Sequence, residues 1–375
     1  MTVRIAYVLG TSAGGTGAHV AMLAAGCASR GMTVRVFGPA SVGRRFFPGG
    51  DGDVAQGSFV PVEIADRPRP VRDLAAVLRL RGLLRRWSPD VVHAHGLRAG
   101  ALSAVALAGA QPARGALIVT VHNAPVTGGV NGAIYGVLEW IVARRADSVT
   151  WVSGDLAARM RHRGGRDGGR ALVPAAPGTK PSAGEIAKAR NDLDAAGRPV
   201  VLGVGRLAAQ KGFGVLLAAA SRWQDREPAP LVAIAGEGPL AAELAGQARS
   251  ARVAVRFLGQ RTDVPALLAV ADVVAVPSVW EGQPLLVQEA LRDGKPIVAA
   301  RAGGIPELTG EDGAILVPPQ DAAALADAVL SVLDDPGIAD KLCGAARQRA
   351  ATLPSVSDAI DGVEGLYLRL ADRVG

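Results

Sequence analysis

Cysteine is almost absent: two residues in 375, Cys27 and Cys343, lie far apart and in no CxxC or Cys/His grouping. Neither a disulfide framework nor a zinc site is therefore suggested, and a reducing, cytoplasmic setting is expected. Aromatic residues amount to only 4%. No basic stripe is interleaved with stacking side chains, which argues against nucleic acid as a partner. No apolar run approaches the roughly 18 to 20 residues that span a bilayer. The segment Met22 to Ser29, MLAAGCAS, has the outline of a lipoprotein cleavage site around Cys27, but Gly14, Gly15, Gly17 and His19 interrupt the apolar stretch that such a leader needs. Acid is also missing at the start, where the first carboxylate is Asp51.

What is present is a hydrophobic fraction of 49%, ample for well-buried cores, in a chain long enough for two or three domains. Lys and Arg number 41 against 34 acids, a net charge of +7, which favours anionic partners. With nucleic acid set aside, small phosphate-bearing ligands fit that balance.

Two halves of the chain repeat one grammar: short apolar strands, Gly-rich turns and helix-length segments. RIAYVLG, TVRVFGP, DVVHAHG, ALIVTVHN and SVTWVS read as strands of the first half. RPVVLGVGRL, LVAIAGEG, VRFLGQ, VVAVPS, PIVAAR and ILVPP read as strands of the second. That alternation predicts an α/β fold with two parallel, doubly wound sheets covered by helices, and a ligand in the cleft between the two domains. The polar stretch from Pro177 to Arg198 reads as the linker, GGRDGGR (Gly164 to Arg170) as a mobile surface turn, and Arg44-Arg45-Phe46-Phe47 as a loop.

The glycine-rich turns lack the features of the commoner nucleotide motifs. Gly15-Thr16-Gly17, Gly203-Val204-Gly205 and Gly236-Glu237-Gly238 lack the third glycine of GxGxxG, and the second strand ends Phe37-Gly38-Pro39 with no acid for a ribose. GTSAGGTG lacks the Lys-Ser/Thr pair of a P-loop. What remains is a Gly14-Gly15 turn entering a helix, where backbone amides can face an anion or simply close a tight turn.

In the second half, Arg206 ends a strand and Lys211 begins a helix, a fork and a point charge suited to a diphosphate. A lysine at a helix N-terminus opposes the helix dipole and calls for an anion or an acid nearby. WEGQPLLVQEAL holds Glu281 in the turn before a helix and Glu289 about two turns in, with the free amides of Leu285 and Leu286 between them. Two carboxylates at different depths suit a ligand with both ribose and hexose hydroxyls; otherwise Glu281 caps the helix and Glu289 reaches solvent.

The Gly14-Gly15 turn with His19, PDVVHAHG, VTVHN, ADSVTWVS, GRLAAQKG, IAGEGPL, VRFLGQ and SVWEGQPLLVQEALRDGKPIVAARAGGIPEL together resemble a family 4 glycosyltransferase with the GT-B fold, over nearly the whole chain. The resemblance implies two facing Rossmann-like domains, residues 1–178 and 179–354, with residues 355–375 crossing back to the first. It implies no metal and no cofactor, only a nucleoside diphosphate sugar as co-substrate, and retention of anomeric configuration. Arg206 and Lys211 would neutralise the donor diphosphate, Glu289 would hold the ribose, and Glu281 would contact the hexose and steady oxocarbenium charge. Gly14 and Gly15 would admit the diphosphate to the opposite backbone, Leu285 and Leu286 would bind through their amides, and His122 would stand near the sugar. His93 and His95 read as structural, His95 being nearer the cleft, and the base would stack around Gly259 to Arg261. Val173-Pro174-Ala175-Ala176-Pro177-Gly178 departs from the PNG that is common in the family.

The expected activity is thus retaining transfer of a hexose-type sugar to a hydroxyl on a glycan, a lipid-linked or a small-molecule acceptor. Two alternatives stay open: a nucleotide-sugar 2-epimerase, which needs further cleft acids, and an inactive GT-B scaffold. In the scaffold reading the basic helix from Arg72 to Trp87 and the loop Arg44 to Phe47 sit on anionic membrane.

Overall fold

The computed structural model describes residues 2–12, 14–48, 59–65, 67–109, 115–123, 129–176, 178–195 and 197–372. Contacts divide it into two compact units, Met1–Pro174 together with Pro354–Gly375, and Ala175–Leu353. The division falls before residue 178 because Ala175 is already held by the second unit: its N–H donates to Gln288 Oε1 at 2.9 Å, and its carbonyl accepts from Arg292 Nη1 at 2.8 Å. Pro177 lies outside the described residues.

The first unit runs β1 (Arg4–Leu9), α1 (Gly15–Ser29), β2 (Thr33–Gly38), α2 (Ala40–Phe46), β3 (Phe59–Pro61), α3 (Pro70–Trp87) and β4 (Val91–His95). It continues with α4 (Leu97–Leu107), β5 (Ala116–Val121), α5 (Gly129–Arg145), β6 (Ser148–Trp151), α6 (Gly154–His162) and β7 (Asp167–Arg170). All seven strands are parallel, in the order β3-β2-β1-β4-β5-β6-β7. The central strands are buried on both faces, which is why VVHAH and ALIVTV read as near-continuous apolar runs rather than alternating ones.

The second unit runs α7 (Ala183–Leu193), β8 (Val200–Val204), α8 (Phe213–Ala220), β9 (Leu231–Ala235), α9 (Ala241–Ser250), β10 (Val255–Phe257) and α10 (Val264–Val270). Then come β11 (Val273–Val276), α11 (Leu285–Arg292), β12 (Ile297–Ala300), α12 (Ile305–Thr309), β13 (Ile315–Val317), α13 (Ala322–Asp334) and α14 (Pro336–Ala350). Its parallel sheet has the order β10-β9-β8-β11-β12-β13, with separate apolar clusters on its two faces. Helix α15 (Val356–Ala371) belongs to the first unit. It lies close on α1: a Cβ on Gly26 would come within 2.2 Å of Ile360, and Arg30 pairs with Asp361 at 2.6 Å and with Glu364.

Three readings change. GGRDGGR is not simply a turn, because residues 167–170 pair with β6 as an edge strand, with Asp167 Oδ1 taking the Trp151 Nε1–H at 3.1 Å. The expected loop at residues 44–47 is the end of α2, with Phe47 buried and stacked on Phe59 at 5.4 Å, so its aromatics serve the core. The expected linker contains α7, closed by a Ser182/Glu185 capping box and buried through Ala189 and Leu193. Its polar composition hid an amphipathic period. Cys27 sits within α1, fully buried, with its sulfur 3.4 Å from Tyr7 Oη.

Candidate active site

In each sheet the strand order reverses beside the first strand, between β1 and β4 and between β8 and β11, and ligands of open α/β sheets bind at the carboxyl ends of such strands. The sequence-predicted residues gather at these two places, one in each unit.

In the second unit, β8 runs into Gly205 and Arg206, and the chain then turns through a 3-10 segment, Ala209–Lys211, into α8. Gly212 closes that turn at φ 66, with its missing Cβ only 2.0 Å from the Pro277 carbonyl oxygen, so no side chain fits. The close approach sets Lys211 against the loop after β11. Lys211 Nζ donates to Glu281 Oε1 at 2.6 Å, and Ser278 Oγ donates to the same oxygen at 2.7 Å. Glu281 is buried, and it is the acid that the lysine's position at a helix start requires. It does not cap α11, since its carboxylate is engaged by the lysine and the serine. Its own backbone is clamped as well: Gly304 N–H donates to the Glu281 carbonyl at 2.9 Å, and Gln210 Nε2 donates to the Trp280 carbonyl at 2.8 Å.

Arg206, by contrast, is exposed and makes no ion pair among the described residues, so its guanidinium fork is available to an anion. Pro284 is the N-cap of α11, leaving the amides of Leu285 and Leu286 without intrahelical partners. Glu289 is the fifth residue of this eight-residue helix, little more than one turn in rather than two. It is half-buried, and its carboxylate accepts no hydrogen bond and forms no ion pair among the described residues. Burial, and then the neighbouring Asp293, push its pKa up. Such a group is costly in the free protein and is relieved by donors from a ligand. Near the expected base site, Gly259 accepts from the Gly236 N–H at 2.7 Å, while Arg261 is tied to Asp263 and Asp192 at 2.6 and 2.9 Å.

In the first unit, Gly14 is the N-cap of α1, with nothing within 4 Å of where its Cβ would stand, and Gly15 is the first helical residue. The ends of β1, β4 and β5 surround a pocket of about 190 Å³ whose polar lining includes Ser12, Thr16, His95, Arg98, His122 and Asn123. His95 Nδ1 and His122 Nε2 lie 3.0 Å apart. His95 is therefore a partner of His122 as well as a structural residue. His19 packs edge-on to both rings at 5.7 and 5.6 Å. Burial pushes the pKa of His122 down to about 4 and that of His93 to about 3, and lowers His19 and His95 well below the usual range, so all four are neutral near pH 7. His19, His95 and His122 bring ligand nitrogens within 4.8 Å of one another, yet among the described residues no carboxylate or carbonyl holds their other nitrogens as metal-bound imidazoles require.

His93, read above as structural, lies beneath this pocket, and the residues that sequence reasoning missed are its partners there. His93 Nδ1 meets Tyr367 Oη at 2.6 Å and His93 Nε2 meets Thr120 Oγ1 at 2.7 Å; Thr120 goes on to Thr150, and Tyr367 donates to Tyr7. The chain of contacts joins α15 to four strands. The spacing of His93 and His95, two residues apart on one strand, was the available signal that both face one side of the sheet.

Two doubly wound parallel sheets, each with polar side chains gathered at its switch point, make up a GT-B architecture. Comparison with known proteins gives the family. Residues 14–176 match the glycosyl transferase 4-like domain, and residues 198–335 match the glycosyl transferases group 1. Glycogen synthase of Mycobacterium tuberculosis is 35% identical over 302 residues, 74% of this chain and 68% of that protein. The 2-deoxystreptamine N-acetyl-D-glucosaminyltransferase of Streptomyces fradiae is 31% identical over 292 residues, 70% of this chain and 67% of that protein. A crystal structure of Anabaena HepE in complex with UDP and glucose has the same fold, with a TM-score of 0.80 at 21% identity over 98% of this chain and 100% of that one. The chain belongs to the group 1, family 4 glycosyltransferases of GT-B fold.

Proposed function

We propose that this glycosyltransferase moves a hexose-type sugar from a nucleoside diphosphate sugar to a hydroxyl acceptor with retention of anomeric configuration and without a metal. The observation that carries the reading is the Lys211–Glu281–Ser278 group beside an unpaired Arg206 at the switch point of the second sheet. Two cations there take the place that a divalent ion would otherwise fill on a diphosphate. Solved relatives of the same fold hold UDP and UDP-glucose, which fits a nucleotide sugar as the donor.

In this reading Arg206 and Lys211 take the charge that grows on the diphosphate as the bond from sugar C1 to phosphate oxygen breaks. Glu289 holds the ribose. Glu281, fixed by Lys211 and Ser278 through Oε1, turns its other oxygen to the hexose. The amides of Leu285 and Leu286 face phosphate oxygens. The acceptor oxygen bonds to C1 on the face the phosphate leaves, its proton passes to a departing phosphate oxygen, and nucleoside diphosphate is released. His122, neutral at working pH, orients a hydroxyl rather than taking its proton.

A panel of UDP, GDP and ADP sugars tests this reading through release of nucleoside diphosphate. The matched donor also stabilises the chain, by about 2.7 kcal/mol at a hundredfold excess over Kd. No release from any member of the panel overturns the reading, and an inverted anomeric centre in the product overturns retention.

A further inference from the structure

Outside the pocket that holds His122, a second hollow of about 610 Å³ lies along the start of α3, lined by Thr11, Glu63, Ala65, Arg69, Arg72 and Arg79 among others. It shares Thr11 and Ala65 with the histidine pocket. Arg72 and Arg79 are seven residues apart and so project from one face of the helix, with Ala75 and Ala76 between them leaving room. Three exposed guanidinium groups face one carboxylate, Glu63, which also accepts from the Ala40 N–H at 3.0 Å. None of the three arginines forms an ion pair among the described residues. The acid nearest them in sequence, Asp73, is taken: Oδ1 accepts from Arg98 at 2.6 Å and Oδ2 from the Arg69 N–H at 2.9 Å.

We propose that this hollow is the subsite for a phosphate carried by the acceptor, read by Arg69, Arg72 and Arg79. The inference rests on the transferase reading above and gives its acceptor a chemical class: a hydroxyl compound bearing a phosphate or diphosphate. Clustered, unpaired guanidinium groups repel one another, and a phosphate that accepts two or three forked bonds removes that cost. A neighbouring stripe of the same helix, Val71, Leu74 and Leu78, is 85%, 61% and 61% exposed, with Arg81 and Arg85 beside it. The phosphate therefore has two sources of one chemistry, a soluble phosphorylated acceptor or a lipid headgroup at a membrane surface.

Hydrogen exchange of the full chain with inorganic pyrophosphate as the probe tests the site locally. Peptides covering residues 67–80 should gain protection, and the pyrophosphate concentration needed should rise about tenfold for each arginine removed. Arg72→Ala and Arg79→Ala are surface changes that leave the fold intact, and an unchanged melting temperature checks that. Protection absent from residues 67–80, or equal in the Arg72→Ala/Arg79→Ala chain, overturns the proposal. Either failure is distinct from failure of the transferase reading, which is judged by nucleoside diphosphate release. Flotation on phosphatidylcholine vesicles containing phosphatidic acid then separates the sources. Flotation abolished by Leu74→Ser/Leu78→Ser, with pyrophosphate protection kept, assigns a lipid-borne phosphate; arginine-dependent protection without flotation assigns a soluble one.

Discussion

Mild acid should unfold the first unit before the second. Four of the five histidines, His19, His93, His95 and His122, are buried together, and their electrostatic neighbours are one another rather than carboxylates. Each native pKa lies below the unfolded value of about 6.5, so the unfolded chain binds protons first. The histidines' contribution is fully present above that pH and is lost as pH falls toward 4. With one proton worth about 1.4 kcal/mol per pH unit, each ring loses on the order of 1 kcal/mol between pH 7.5 and 5.5, and the cluster several kcal/mol. That is a large part of a typical domain's stability. Carboxylates with lowered pKa values, such as Asp167 and Asp263, do not titrate in that window. In the second unit Glu289 and Asp293 have raised values, which gives the opposite sign, so that unit serves as the internal control. Hydrogen exchange in urea at the two pH values, corrected for intrinsic rates, should show the drop in peptides of β4 and β5 but not of β8 and β9. Replacing His122 by Gln should shrink the drop by about one proton's worth. Equal drops in the two units, or none, would refute the argument.

The two acids of WEGQPLLVQEAL should fail differently. Glu281→Ala should mainly lower turnover and Glu289→Ala should mainly weaken donor binding, and steady-state kinetics showing the same effect from both would remove the division of labour. Lys211→Ala strands a carboxylate that is only 6% exposed and should cost the second unit roughly 3 kcal/mol in urea unfolding. Most of that should return in Lys211→Ala/Glu281→Gln, and a single-variant cost near zero would show that the pair is dispensable. Gly212→Ala meets the Pro277 oxygen at 2.0 Å in left-handed backbone and should lower stability by more than about 1 kcal/mol. A stable Gly212→Ala chain would mean that the turn is free to move.

How much could be read before folding differs by element. Fully buried strands such as LVAIA and VVAV announce themselves because a parallel sheet covered on both faces needs unbroken apolar runs. Edge strand β7, made of Asp, Gly, Gly and Arg, carries no such signal, since only its pairing with β6 makes it a strand. Helix α7 was hidden by polar composition although its Ser182/Glu185 box was present in the chain.

The sequence by itself determined the two sheets, the glycines that admit close backbone approach, and the residue types at both switch points, because these depend on local period and chemistry. Only the tertiary structure decided who meets whom. Lys211 and Glu281 are seventy residues apart, and their contact exists because β8 and β11 are neighbours in a sheet. His19, His95 and His122 come from three segments and share one buried cluster because β1, β4 and β5 lie side by side, and burial rather than sequence makes them neutral. The basic helix likewise was legible as a count of arginines, but which of them lacked partners depended on where Arg98 placed Asp73.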